Sequence, residues 1–222
     1  MKEKKTFILA VPTLIIFVVV VVGICIIFYN RNFKKMTKDD VKNLAQKVAT
    51  INNISCEVLT ESSEVEIAGT ISDYKLCNDK LVSNVDNFKM YDDKNEKLLL
   101  QIDEKQKVVY QYKEYNSAID EFETMICSVA KLLESDEYQY EFKDYETVNG
   151  IKCVSFSLSN DSIVFDIWLD KESGMIVKMI CHYIGDGSNS IDTTLNYRYQ
   201  LNNVTEEDVK KPDLTGYTVT EI

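Results

Sequence analysis

Proline is nearly missing from this sequence, with two residues in 222, and glycine occurs only seven times. Scarcity of both excludes collagen-like and linker-rich chains and predicts long regular elements. There is one histidine, His182 in the strand-like run MICHYIG. Without a second one, H-E-x-x-H zinc chemistry is out of reach, and no G-x-S-x-G elbow, P-loop or dinucleotide glycine pattern is present. His182 reads as a partly exposed strand residue without a catalytic task. The six cysteines include no C-x-x-C pair, which argues against a zinc knuckle or a thioredoxin-type redox pair. Cys56 and Cys77 form either a disulfide or two free thiols packed as small apolar residues. Asp161, Asp166 and Asp170 match neither the spacing nor the central glycine of an EF-hand loop. No catalytic residue, metal ligand or cofactor is therefore expected, and the chain reads as a non-enzyme.

One long hydrophobic run is present. Phe7 to Tyr29 are 23 residues without a charge, enough to cross a hydrocarbon core of ~30 Å at ~1.5 Å per residue. A cleavable signal has an apolar stretch of ~7–15 residues and a small-residue cleavage site, whereas here FYNRNFKK follows directly. The expected organisation is a short cytoplasmic tail (1–6), a transmembrane anchor (7–29), a juxtamembrane linker (30–36) and an extracytoplasmic domain (37–222). Lys2, Lys4 and Lys5 face Arg31, Lys34, Lys35 and Lys38 across the run, so the positive-inside count does not orient it. An outward domain follows from the tolerance of translocation for long domains whatever their flanking charge. The expected location is thus the cell membrane, as a single-pass protein.

The net charge of −11 is unevenly spread: residues 36 to 222 hold 19 Lys and Arg against 35 Asp and Glu, near −16. Such a surface repels nucleic acid and anionic headgroups. Only Arg31, Lys34 and Lys35 are placed to touch a bilayer surface.

After the run, Thr37 is a helix cap, and Val41, Leu44, Ala45 and Val48 share one face. The period then becomes two: Ile54, Cys56 and Val58, then Val65 and Ile67, then Tyr74 and Leu76 alternate with polar neighbours. Asn78-Asp79, Asp92 to Glu96 and Asp103 to Gln106 are turn signals in an antiparallel meander. One helix is expected to interrupt it, from the cap Ser117 to Glu134, with Ile119, Phe122, Ile126, Val129 and Leu133 as its apolar stripe. That stripe needs an apolar partner, and a sheet face is the surface this chain can build. Strands resume at Ile151, and NVTEEDVKKPDL reads as one helical turn between Thr205 and Pro212.

The hairpin FDIWLDKESGMIVKM puts Phe165, Ile167 and Leu169 on one face and Asp166, Trp168 and Asp170 on the other. Gly174 suits a left-handed residue closing its loop. Beyond it, Met175, Val177 and Met179 are expected on one face, with Ile176, Lys178 and Ile180 on the other. The run WLDKESGMIVK, with Trp168, Asp170, Gly174 and Lys178, resembles the hairpin of the LolA-like superfamily of lipoprotein carriers and related envelope proteins. NGIKCVSFSLS before it and NVTEEDVKKPDLTGYTV after it are similar to the family's flanking strand and terminal segment. The similarity extends from about residue 37 onward.

This resemblance implies an α+β fold: a strongly curved antiparallel sheet, an incomplete barrel, with helices on its concave side and an apolar cavity beneath them. The expected lining is Ile119, Phe122, Ile126, Val129, Leu133, Phe156 and Ile167, and the implied cargo is a lipid or lipoprotein. The sequence departs from a carrier in its anchor and in having Arg198 as the one arginine of residues 37–222. The alternative is an envelope interaction or regulatory module, of the sporulation or cell-wall kind, whose cavity is filled by its own side chains and whose acidic face docks a protein. The topology has a direct test: protease added to intact cells should release the domain, and a resistant domain would reverse the orientation.

Overall fold

Alternation of polar and apolar residues builds twelve strands that join in one sheet. The computed structural model describes residues 35–63, 69–85, 88–184 and 191–222. The expected anchor at 7–29 and the alternation at Val65 and Ile67 lie outside them. Among the described residues no helix is long and apolar enough to cross a membrane. The chain divides into Met1–Met36, of which only Lys35 and Met36 are described, and Thr37–Ile222.

A first meander comprises β1 (Asn53–Ser62), β2 (Thr70–Cys77), β3 (Lys80–Val85), β4 (Phe88–Asp93), β5 (Leu98–Asp103) and β6 (Val108–Gln111). A second comprises β7 (Gln139–Val148), β8 (Ile151–Ser159), β9 (Ile163–Asp170), β10 (Ile176–Tyr183) and β11 (Ile191–Leu201). Their innermost strands pair antiparallel from Ile54 opposite Leu201 to Ser62 opposite Thr193. With β12 (Thr218–Glu221) the order is β12-β6-β5-β4-β3-β2-β1-β11-β10-β9-β8-β7. The result is an open, curved, mostly antiparallel sheet with a few helices, an α+β fold that does not close. Only β12 on β6 is parallel among the described pairs. The outer edge of β7 is blunted by Glu141, Lys143, Asp144 and Glu146 and by a bulge between Phe142 and Asp144, devices that oppose edge-to-edge pairing.

Three hairpins turn by the same chemistry. In each, an aspartate at the strand end caps the loop: Asp93 accepts from the Asn95 and Glu96 amides at 3.1 Å, and Asp103 from Lys105 and Gln106 at 2.9 Å. Asp170 accepts from the Glu172 amide at 2.9 Å and from the Ser173 hydroxyl at 2.6 Å. Four residues after each aspartate the backbone turns left-handed, at Lys97 (φ 50°), Lys107 (φ 55°) and Gly174 (φ 78°). Burial works to raise the Asp170 pKa, but these donors and the Tyr199 hydroxyl at 2.7 Å hold it below its ordinary value.

Helix α1 (Lys38–Ala45) starts in a capping box of Thr37 with Asp40, as the spacing predicts, and runs into a 3₁₀ turn at Gln46–Thr50. The single helix expected from Ser117 to Glu134 is two: α2 (Ala118–Ile126) and α3 (Ser128–Glu134), broken at Cys127 (φ −90°, ψ 2°). One straight helix cannot follow a curved sheet, and the break lets Phe122 stack on Tyr74 of β2 while α3 packs on α1. Lys42 of α1 and Gln46 of the 3₁₀ turn both reach Glu134, at 3.6 and 3.1 Å, and the Lys38 ammonium donates to the Ser135 carbonyl.

The expected faces of the β9–β10 hairpin need one correction. A bulge between Ile176 and Lys178 sets Ile176 opposite Leu169 and Met179 opposite Ile167, so Ile176 shares the face of Met179. An extra residue in one strand shifts the alternation by one.

The opposite face of the first meander has its own core. Cys77, Val82, Tyr91, Leu100, Ile102 and Val109 are covered by Val204, Val209, Leu214 and Tyr217. Residues 202–217 form a strap from β11 across the back of the meander to deliver β12 to its far edge. Asn53 holds the strap's start, exchanging hydrogen bonds with Val204 at 2.8 and 3.0 Å.

Of the three left-handed turn residues, only Gly174 is also crowded: a Cβ there would stand 2.1 Å from the Leu44 carbonyl oxygen. Gly174→Ala should therefore cost more than the ~1–2 kcal/mol of a left-handed L-residue alone. Lys97→Gly should instead stabilise by about 1 kcal/mol, by removing that strain. Denaturant midpoints measure both, and equal effects at the two sites would refute the assignment.

Candidate functional site, a latched apolar cleft

Register places Cys56, Tyr74, Ser83, Met90 and Gln101 in one cross-strand row on the helical face. Beside α2 the part of this row from Tyr74 to Gln101 borders a cleft of about 390 Å³, lined also by Leu81, Val85, Phe88, Ala118, Glu121, Phe122 and Met125. Its volume falls in the ~300–1,000 Å³ span of small-molecule sites. The lining is apolar except for Ser83, Gln101, Glu121 and the Tyr74 hydroxyl. Phe88 is 39% exposed, and Val85, Met90 and Met125 are partly exposed, so this apolar surface is not closed off as a core.

The roof helix is fastened to the floor at one end. Asp92 of β4 is fully buried and accepts from the Ile119 amide at 2.9 Å, the Ser117 hydroxyl at 3.1 Å and the Tyr115 hydroxyl at 2.9 Å. A buried charge is tolerated when donors surround it, and the first turn of a helix favours an anion. Ser117 also caps α2 directly, accepting from the Asp120 amide at 3.2 Å.

The expected lining residues divide unevenly. Phe122 borders the cleft and stacks on Tyr74 with centroids 4.9 Å apart. Ile119, Ile126, Val129, Leu133, Phe156 and Ile167 are all buried to within 3% and are not among the residues bordering it. The structure thus brings together Phe122 with Val85, Phe88, Met90 and Met125, which the sequence reading does not single out. Period-two alternation in FKMYDD carried a signal for Phe88 and Met90, but not which face the helix leaves uncovered. Asp92, read as a turn residue, acts as the latch.

Elsewhere the chemistry is quiet. The five cysteines of the domain are free. Cys56 and Cys77 lie on opposite faces of the sheet, which excludes the disulfide, and burial pushes Cys56 up to about 12 and Cys153 to about 11. Such thiols are poor nucleophiles. His182 Nδ1 is paired with the Asp192 carboxylate, which accepts, at 2.9 Å, and its Nε2 lies 3.5 Å from Asp166, itself hydrogen-bonded to Ser157. Among the described residues no cluster of His, Cys, Asp and Glu could hold a metal ion. The hairpin residues that carry the family resemblance serve architecture: Trp168 faces Lys178 across the strands, with the ammonium 5.0 Å from the ring centroid.

No family model and no curated protein matches the chain. Among solved structures, PNGF-II is similar over 76% of this chain and 31% of its own, at 9% identity and TM-score 0.34. The Pseudomonas aeruginosa MucA/MucB complex is similar over 78% and 61%, at 11% identity and TM-score 0.39. A Vibrio parahaemolyticus domain described as outer membrane lipoprotein-sorting is similar over 78% and 97%, at 11% identity and TM-score 0.32. The chain thus spans about a third to under two thirds of the first two structures. At TM-scores below 0.5 the likeness carries no argument about what this chain binds.

Asp92→Ala would leave three donors facing a void, and hydrogen bonds to a charged group contribute about 1.5–3 kcal/mol. The variant should lose about 2–3 kcal/mol, and amides of 118–126 should exchange before those of the sheet. An unchanged exchange order would show that Asp92 does not hold the roof.

Proposed function

We propose that this is a membrane-anchored, non-enzymatic envelope protein that holds the acyl chain of a lipid or an acylated protein in the cleft beside α2. The observation that carries the reading is the cleft itself: an unsealed apolar space over the sheet, roofed by a helix fastened at its N-terminal end. Removing apolar surface from water contributes roughly 25 cal/mol per Å², so Phe88, Met90 and Met125 favour an apolar occupant. Support for the anchor is the uncharged run Phe7 to Tyr29, and support for a binding role is the absence of an activated nucleophile among the described residues. The cell membrane, with the domain on the extracytoplasmic side, is the setting this reading requires.

A second reading, a protein-docking envelope module, draws on the complete packing of Ile126, Val129, Leu133, Phe156 and Ile167. In that case the fold is filled by its own side chains except at the cleft.

Mass spectrometry of full-length protein purified in a mild detergent separates the two. Co-purified lipid is expected, and Phe88→Glu with Met90→Glu should deplete it at least tenfold while leaving the circular dichroism unchanged. A wild-type protein that carries no lipid and takes up no acyl probe would end the first reading and leave the second.

A further inference from the structure

The cleft contains a polar group that packing does not account for. Ser83 is 2% exposed and its hydroxyl has no hydrogen-bond partner among the described residues. Among described side-chain atoms wholly shut off from solvent, only Trp168 Nε1 lacks a partner, so the Ser83 oxygen opens onto the cleft it lines. Packing alone is met by valine or alanine at a β-sheet position of this kind, and the serine instead presents a hydroxyl to the cleft. In the same cross-strand row, Gln101 turns its Oε1 to the Tyr112 hydroxyl at 2.7 Å. This fixes the amide and leaves its NH₂ as a donor. Ser83 and Gln101, on either side of Met90, are therefore two donors in a wall whose other polar groups are the Tyr74 hydroxyl and Glu121.

The charges around them narrow the ligand further. No lysine, arginine or histidine lines the cleft, and Glu121 does. A carboxylate headgroup would meet no cation there and would lie near a like charge, which is unfavourable at low dielectric. An acyl carbonyl is an uncharged acceptor and suits the site.

We infer that Ser83 and Gln101 form a carbonyl-reading subsite, selecting a neutral amphiphile whose acyl chain is joined through an ester or amide, over a free fatty acid or a plain hydrocarbon. This rests on the reading of the cleft as an acyl site and adds the chemical class of its occupant. Ester carbonyls come with glycerolipids and amide carbonyls with N-acylated proteins, and the subsite reads what the two share.

Photo-crosslinking tests it on the full chain in nanodiscs, with four diazirine-bearing probes of equal chain length: a monoacylglycerol, its ether analogue without the carbonyl, an N-acylated dipeptide amide and the free acid. In the wild type, labelling of cleft peptides by the ester or the amide should exceed that by the ether and the acid about three- to tenfold, as one net hydrogen bond gives. Preference between ester and amide identifies the source. Ser83→Ala removes an unpartnered hydroxyl and should leave stability intact or raised while lowering ester and amide labelling to the ether level. Gln101→Leu should act in the same direction. Equal labelling by ester and ether in the wild type, or a ratio unmoved by Ser83→Ala, overturns the subsite while the cleft reading stands. If none of the probes labels the cleft, the acyl-site reading itself fails.

Discussion

The pairing of β1 with β11 is the constraint on which the architecture depends. Each meander is assembled from neighbouring strands through short turns, and each alone would leave a long unpaired edge. The ladder from Ile54 opposite Leu201 to Ser62 opposite Thr193 joins strands separated by more than 130 residues. Such non-local closure costs chain entropy, growing slowly with loop length. Its return is that two half-sheets become one surface wide enough for three helices. Cys56 and Val58 enter the same core as Tyr197 and Tyr199 only because that register is kept; a slip by one residue would send them to the other face.

Once the sheet is joined, its two faces are used differently. On one, α1 and α3 lie together and α2 stands apart, broken from α3 at Cys127. On the other, the strap of residues 202–217 crosses the first meander and seals a second core. Behind, the strap covers the outer strands of the first meander but leaves Ile71, Asp73 and Asn84 exposed; in front, α2 covers it only in part. The cleft lies where α2, tied at its N-terminal end to Asp92 and seated through Ile119, Phe122 and Ile126, leaves Val85, Phe88 and Met90 incompletely covered. A buried carboxylate holding a helix end is directional, whereas apolar packing is not.

The same economy governs the polar groups. Aspartates at strand ends satisfy turn amides, Asp170 with Ser173 and Tyr199 ties the β9–β10 loop to β11, and the thiols are buried away from reactive company. What stands out against this background is a short list: Ser83 with its free hydroxyl, Gln101 with its committed carbonyl, and Phe88 exposed beside them. Polar groups in an interior are normally answered; the Ser83 hydroxyl, unlike the sealed Trp168 Nε1, borders the open space.

Much of the architecture was legible from residues alone. Period-two runs gave the strands, aspartate-led turns gave the hairpins, Thr37 and Ser117 gave the helix starts, and the LDKESG loop gave a left-handed Gly174, because each depends on neighbours within a few positions. The break at Cys127, the bulge at Ile176 and the path of the strap were not legible, since curvature and register arise from strands distant in sequence. The cleft follows the same division. An apolar stripe from Ile119 to Leu133 declared that a helix must cover a sheet, but not which of its residues would be sealed in and which left facing space. Local propensity thus determined the elements, and only tertiary packing decided that Phe122 would border an opening while Ile126 and Val129 would not, because whether a buried face is filled depends on what the far half of the chain supplies to fill it.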